Sequence, residues 1–210
     1  MERRLRGLYA ITPDENDTVA LVAKVRQALR GGAIAVQYRN KAADARLKRR
    51  QAQVLLELCR GAGAPLIVND DLELALAVSA DGVHLGGEDG DLANARARLG
   101  AGKLLGASCY NRLDLAFAAQ QAGADYVAFG SAFSSPTKPA AVSAPLELYR
   151  EAKARLAVAV AAIGGITPEN AGAVIAAGAD AIAVISALFD APDIEAAARR
   201  FCNLFPPKES

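Results

Sequence analysis

Eight short, branched, apolar runs recur along this chain, and each is apolar almost throughout rather than at every second position. They are Leu8–Thr12, Ala33–Arg39, Pro65–Asn69, Gly82–Gly86, Leu104–Cys109, Tyr126–Gly130, Val158–Gly164 and Ala181–Ser186. A strand that is apolar on both faces must be covered on both faces, which is the condition of a parallel sheet flanked by helices. Segments with helical spacing lie between the runs. Val19, Val22, Val25 and Leu29 mark the first; Arg46–Leu58, Leu113–Ala122, Asn170–Ala177 and Ile194–Leu204 follow. Glycine stops several of them, at Gly31-Gly32, Gly61, Gly123 and Gly178, as expected just past a helix end. The junctions back into strands repeat one phrase: Gly32-Ala33-Ile34, Ala80-Asp81-Gly82-Val83, Gly123-Ala124-Asp125-Tyr126 and Gly178-Ala179-Asp180-Ala181.

Eight βα units in 210 residues predict an α/β chain folded as a single compact (β/α)8 TIM barrel spanning residues 1–210, shorter than the ~250 residues typical of that fold. The competing architecture is a doubly wound open sheet. It would be expected to carry a glycine-rich turn after its first strand, and Thr12-Pro13-Asp14-Glu15-Asn16-Asp17 contains no glycine.

Composition narrows the function classes. Lys and Arg number 24 against 23 Asp and Glu, so no bulk field favours nucleic acid. With no Trp and 5% aromatic residues, a base-stacking surface is not expected. The longest uncharged run, Leu156–Pro168, is interrupted by Gly164, Gly165 and Pro168 and falls short of the roughly 18 residues a membrane span needs. The N-terminus has no signal-peptide pattern, so the cytoplasm is the expected compartment. Cys59, Cys109 and Cys202 are too scattered for a disulfide framework or zinc cluster. One histidine, His84, lies mid-strand and reads as a core or helix-facing residue.

In a barrel the active site sits at the C-terminal ends of the strands. The second run ends in Gln37-Tyr38-Arg39-Asn40-Lys41. If the chain stays extended there, Gln37, Arg39 and Lys41 share a face, and an amide with two cations suits an anionic ligand; a solvated strand end is the plainer alternative. Asn69-Asp70-Asp71 ends the third run, and Gly86-Gly87-Glu88-Asp89 follows the fourth. Asp70 and Asp89 on neighbouring strands suggest a hard divalent cation, magnesium, bridging to phosphate. Asp71 reads as a helix cap. Ser108 reads equally as a binding hydroxyl or a turn serine, and Asn111 as a candidate cap for the helix at Leu113. The long loop after the sixth run places Ser135 and Thr137 beside Lys138, hydroxyls and a cation that suit a phosphate, with a plain flexible loop as the alternative. Gly164-Gly165 and Ile185-Ser186 end the last two runs, where barrels repeatedly bind phosphate through backbone N–H groups. The basic run Arg46–Arg50 reads as the solvent face of a helix.

These strand ends, in this order, resemble the thiamine phosphate synthase family. The matching phrases are Leu8–Thr12, Gln37–Lys41, Val68–Asp71, Ala80–Asp89, Gly106-Ala107-Ser108, Ala124–Val127, Gly130–Lys138, Ile163–Ile166 and Ile185-Ser186. The resemblance covers almost the whole chain. It implies a transferase that joins hydroxymethylpyrimidine diphosphate to hydroxyethylthiazole phosphate, with diphosphate leaving before the thiazole nitrogen captures a pyrimidine-stabilised carbocation. It further implies that the segment Gln37, Tyr38, Arg39, Asn40 and Lys41 holds the pyrimidine substrate, Gln37 at the ring. Arg39, Lys41, Asn69 and Lys138 would grip its diphosphate, and Asp70 and Asp89 would ligate Mg2+. Ser108 would contact the pyrimidine; with Arg39, Lys41 and Lys138 it makes up the expected catalytic set. Ser135, Pro136 and Thr137 would line the thiazole phosphate site, with Gly165, Ile185 and Ser186 binding its phosphate. The implied partners are these small molecules, with no nucleic acid and no membrane; homo-oligomer formation is left open.

Three positions depart from the family pattern: Ser135 stands where threonine is usual, Gly87 where glutamine is common, and Pro139–Val142 lacks an expected acidic residue. Two other functions share the scaffold. A thiazole tautomerase-like isomerase would not need the set Arg39, Lys41, Asp70, Asp89 and Lys138, and a histidine is expected near Ser108 in that relative, where the sequence has none. A non-catalytic phosphate-ligand-binding barrel would not need the paired carboxylates.

Overall fold

A computed structural model describes residues 5–87, 89–133 and 143–206. Eight strands run in chain order: β1 (Gly7–Ile11), β2 (Ala35–Tyr38), β3 (Leu66–Asn69), β4 (Gly82–Leu85), β5 (Leu104–Tyr110), β6 (Tyr126–Phe129), β7 (Ala159–Ile163) and β8 (Ala181–Val184). All neighbours are parallel, and β8 pairs back onto β1 to close the barrel. Closure excludes the open doubly wound sheet. The helices are α1 (Thr18–Arg30), α2 (Ala45–Gly61), α3 (Leu72–Ala77), α4 (Leu92–Leu99), α5 (Leu113–Gln121), α6 (Leu146–Arg155), α7 (Ala171–Ala176), α8 (Ser186–Phe189) and α9 (Ile194–Cys202).

Closure also explains why the strands are apolar at successive positions. One set of side chains points inward and packs as a core of Tyr9, Ile11, Ala35, Ile67, Tyr126 and five alanines of β6–β8. The alternate set, among them Leu8, Val36, Val68, Val83, Val127 and Val160, packs outward against the helices. The interior is uneven in volume: Tyr9 and Tyr126 are large, and Ala128, Ala159, Ala161, Ala181 and Ala183 are small. Room for Tyr126 depends on Gly106, where a Cβ would fall 2.1 Å from the Tyr126 ring carbon Cζ.

Aspartate starts five helices. Asp17, Asp44, Asp71, Asp91 and Asp193 each accept a backbone N–H of the first turn, each cap contributing about 1 kcal/mol. Asp71 is thus the expected cap. Asn111 is not one: the residue before α5 is Arg112, and no side chain caps that helix. Gly61 is the last residue of α2, and Gly63 beyond it takes the left-handed position with φ 71°.

The repeated Ala-Asp phrase has a shared job at the N-terminal face. Asp81 accepts the Leu66 N–H at 3.0 Å, Asp125 that of Leu105 at 2.7 Å, and Asp180 that of Val160 at 3.0 Å. Each carboxylate ties the start of its own strand to the start of the preceding one. Each also faces a cation: Arg60 at 3.9 Å, Arg96 at 2.5 Å and Lys153 at 2.5 Å, respectively.

Candidate active site at the barrel mouth

β2 ends at Tyr38, earlier than the apolar run implied, and Gln37, Arg39 and Lys41 therefore do not share one extended face. Thr12 accepts the Arg39 N–H and donates to the Arg39 carbonyl, both at 2.8 Å, and the Lys41 N–H donates to Asp14 at 2.7 Å. These bonds turn the chain over the rim. Gln37 stays inside the barrel, 3% exposed. The Arg39 guanidinium pairs with Asp14 at 3.2 Å, and the Lys41 ammonium with Asp70 at 3.4 Å. Tyr38 and Asn40 border the mouth, but their polar groups bond sideways. The Tyr38 hydroxyl donates to Gln51, and Asn40 Nδ2 donates to Gln51 and to the Glu15 carbonyl.

The two expected metal ligands are brought together. The Asp70 N–H donates to the His84 carbonyl at 2.8 Å, and Asp70 has φ 63°, a left-handed conformation uncommon for a residue with a side chain. Such an outlier at a strand end points to a functional constraint. Asp89 folds back from the β4 loop, accepting the Gly86 N–H at 2.7 Å. Partial burial, opposed by that N–H, and the adjacent Asp70 carboxyl hold the Asp89 carboxyl above the usual range, with Lys41 acting the other way. Among the described residues, no group of three or more His, Cys, Asp and Glu is placed to hold a metal ion. The donors available for a hard cation are this carboxylate pair, the all-oxygen kind such a cation takes.

A cavity of about 500 Å³ opens on the β2–β4 side, bordered by Arg39, Lys41, Asn69, Asp70 and Asp89, a size suited to a small ligand. Lys48 also borders it. The basic run of α2 is therefore not solvent face alone: its middle lysine lines the same cavity as the carboxylates.

Across the mouth, β7 and β8 are neighbours, so Gly165 and Ile185-Ser186 stand at adjacent strand ends. Asn170 holds the β7 loop in shape, donating to the Gly165 carbonyl at 2.9 Å and accepting the Thr167 N–H at 2.8 Å. Ser186 is not the end of β8 but the first residue of α8. The expected Ser135, Pro136, Thr137 and Lys138 lie outside the described residues.

Sequence reasoning missed what links Ser108 to the core. Of its two readings, core or helix-facing, His84 is the core residue: it points into the barrel, 6% exposed. Its Nε2 lies 2.8 Å from Ser108 Oγ and its Nδ1 3.0 Å from the Tyr126 hydroxyl. The absence of a histidine near Ser108 thus holds along the chain and not in space, because β4 and β5 pair through His84 and Gly106. Burial lowers the His84 pKa to about 4, and both ring nitrogens are already engaged, which does not suit a general base. The available signal was alternation by two, which puts Tyr9 on the Ile11 face and Tyr126 on the Ala128 face. Cys59 and Cys109 are buried thiols pushed up to about 12 by burial, and neither suits a nucleophile.

The fold and this mouth define an α/β-barrel whose C-terminal rim carries paired carboxylates beside Arg39 and Lys41 on one side and the Gly164-Gly165 turn on the other. The family model for thiamine monophosphate synthase matches residues 8–188. The chain is 59% identical over 204 residues to the thiamine-phosphate synthase of Aromatoleum aromaticum, covering 97% of this chain and 98% of that protein. It is 58% identical to that of Chromobacterium violaceum, covering 98% and 99%. Its structure superposes on a thiamine phosphate pyrophosphorylase from Pyrococcus furiosus with a TM-score of 0.83 at 38% identity, covering 94% of each chain. The chain belongs to the thiamine monophosphate synthase family. No helix among the described residues is long and apolar enough to cross a membrane.

Proposed function

We propose that the chain is a transferase that joins hydroxymethylpyrimidine diphosphate to hydroxyethylthiazole phosphate, releasing diphosphate and forming thiamine phosphate. The observation that carries this is the division of one barrel mouth. Asp70, Asp89, Arg39 and Lys41 gather on the β2–β4 side, and Gly165 and Ile185-Ser186 stand on the β7–β8 side. The first rim suits a diphosphate, the second a monophosphate.

The chemistry asked of these residues is charge management. The C–O bond to diphosphate breaks with its electron pair going to the leaving oxygen, and the lone pair of the thiazole nitrogen then forms the C–N bond. No proton need move, so the step asks for no general base. Arg39 and Lys41, with Lys138 and Asn69, bind the developing negative charge in place, where preorganised cations act without reorganising. Asp70 and Asp89 would hold Mg2+, which when bound supplies further positive charge against the leaving diphosphate. Ser108 and Gln37 face the pyrimidine, Tyr38 and Asn40 support the Arg39–Lys41 segment, and Ser135, Pro136 and Thr137 complete the thiazole phosphate site. The cytoplasm is the compartment this reading implies.

The test is an assay with both substrates and magnesium, following thiamine phosphate and released diphosphate. Formation of both, lost with chelator, supports the reading. Conversion of a thiazole phosphate tautomer with no requirement for the pyrimidine would replace it with isomerisation. Ligand binding without turnover of either kind would leave only a binding barrel.

A further inference from the structure

Five polar side chains from five strands form one unbroken line through the otherwise apolar interior. Gln37 Nε2 donates to the Tyr9 hydroxyl oxygen at 2.8 Å, and the Tyr9 and Tyr126 hydroxyls lie 2.8 Å apart. The Tyr126 hydroxyl is 3.0 Å from His84 Nδ1, and His84 Nε2 is 2.8 Å from Ser108 Oγ. Packing fixes the members: the Tyr9 and Tyr126 rings meet edge to face at 5.8 Å, and His84 stacks on Tyr126 at 5.5 Å.

Each hydroxyl carries one proton, so the direction of one bond dictates the next. The Gln37 amide already donates to Tyr9, and the Tyr9 proton is then directed to Tyr126. The Tyr126 proton goes to His84 Nδ1. Nδ1 is the acceptor nitrogen, Nε2 carries the ring proton, and that proton goes to Ser108 Oγ. The Ser108 hydroxyl proton is left to point out of the line. In the opposite direction, with the Gln37 amide kept as it stands, the Tyr9 proton would be left without an acceptor in the buried interior.

We infer that this line is a specificity device: it commits Gln37 to offer its carbonyl oxygen, and Ser108 its hydroxyl proton, to the bound base. An acceptor and a donor so arranged match an aminopyrimidine, whose exocyclic amine donates and whose ring nitrogen accepts. The oxo counterpart presents the reverse pattern. Its ring N–H and carbonyl would meet the Ser108 proton and the Gln37 carbonyl head-on unless the line reversed or Gln37 and Ser108 turned their remaining N–H and lone pair to it. Tyr9, His84 and Tyr126 are positioning residues here. The inference rests on the proposed placement of the pyrimidine against Gln37 and Ser108.

Two measurements test it. His84 is the single histidine of the chain, so the imidazole nitrogen resonances of the 15N-labelled protein report on it alone. The neutral Nε2–H tautomer is expected at pH 7; the Nδ1–H tautomer or an imidazolium would overturn the inference. Calorimetric titration then compares the aminopyrimidine diphosphate with its oxo analogue in the wild type and in Tyr126→Phe, with thermal melting to confirm folding. Tyr126→Phe uncouples the two ends, and the wild-type preference for the amino compound should fall by about tenfold or more, the scale of one well-made hydrogen bond. Equal weakening of both compounds would mean a packing role only and would overturn it. Tight amino-selective binding without turnover would fail the proposed reaction and leave the inference standing. Binding of neither compound would overturn both.

Discussion

The two ends of the barrel use the same residue for opposite purposes. At the N-terminal face, Asp81, Asp125 and Asp180 each accept a backbone N–H and face a cation, so their charge is locally matched. At the C-terminal face, Asp70 and Asp89 face one another with Lys41 as a nearby cation. The lower set welds adjacent strands; the upper set is left with like charges adjacent, which suits a ligand that brings positive charge. Barrels separate stability and function between their ends in this way. The contrast is sharpest in sequence neighbours: Asp71 caps α3 through the Leu74 N–H, and Asp70, one residue earlier, turns into the mouth.

Substitutions can break this contrast at either end. Asp89→Ala should have the largest effect, lowering turnover by about 10³-fold or more by removing half of the carboxylate pair proposed to hold the cation that offsets the leaving charge, with the melting temperature nearly unchanged. Near-normal magnesium-dependent turnover would refute its role. Lys41→Ala should come next, weakening the pyrimidine diphosphate by about 10- to 100-fold, the scale of a charge-assisted contact, and barely affecting the thiazole phosphate. Equal loss for both ligands in parallel titrations would contradict the two-rim division. Asp125→Ala should do the reverse of Asp89→Ala. It removes the bonds to Leu105 and Arg96, costing about 2 kcal/mol and lowering Tm by roughly 4–8 °C while kcat is retained. Asp71→Ala is the smallest test: it should cost about 1 kcal/mol by loss of the cap and leave turnover within about twofold, since a cap acts on the helix and not on the transition state. A collapse of activity there would mean that Asp71, and not Asp70 alone, belongs to the mouth.

Much of this was legible in the residues. The runs Pro65–Asn69 and Gly82–Gly86 read as strands, and Asp70 and Asp89 followed them as rim carboxylates, because strand ends are local features. The rest was not local. Whether Arg39 continues β2 depends on Thr12 from β1. Whether Lys48 faces solvent depends on how α2 lies over the mouth. The Asp125 phrase repeated visibly, but its partner is the second amide of the preceding strand, twenty residues away.

Periodicity and punctuation therefore determined the eight βα units, their order, and the polar residues that terminate each strand, since these follow from the preferences of neighbouring residues along one segment. Only the tertiary structure decided which of those residues meet. Gln37, Tyr9, Tyr126, His84 and Ser108 belong to five strands, and no spacing along the chain relates them. Barrel closure decided it: closing the sheet turned alternate side chains inward, brought β4 beside β5, and let Tyr126 reach past Gly106 to join them.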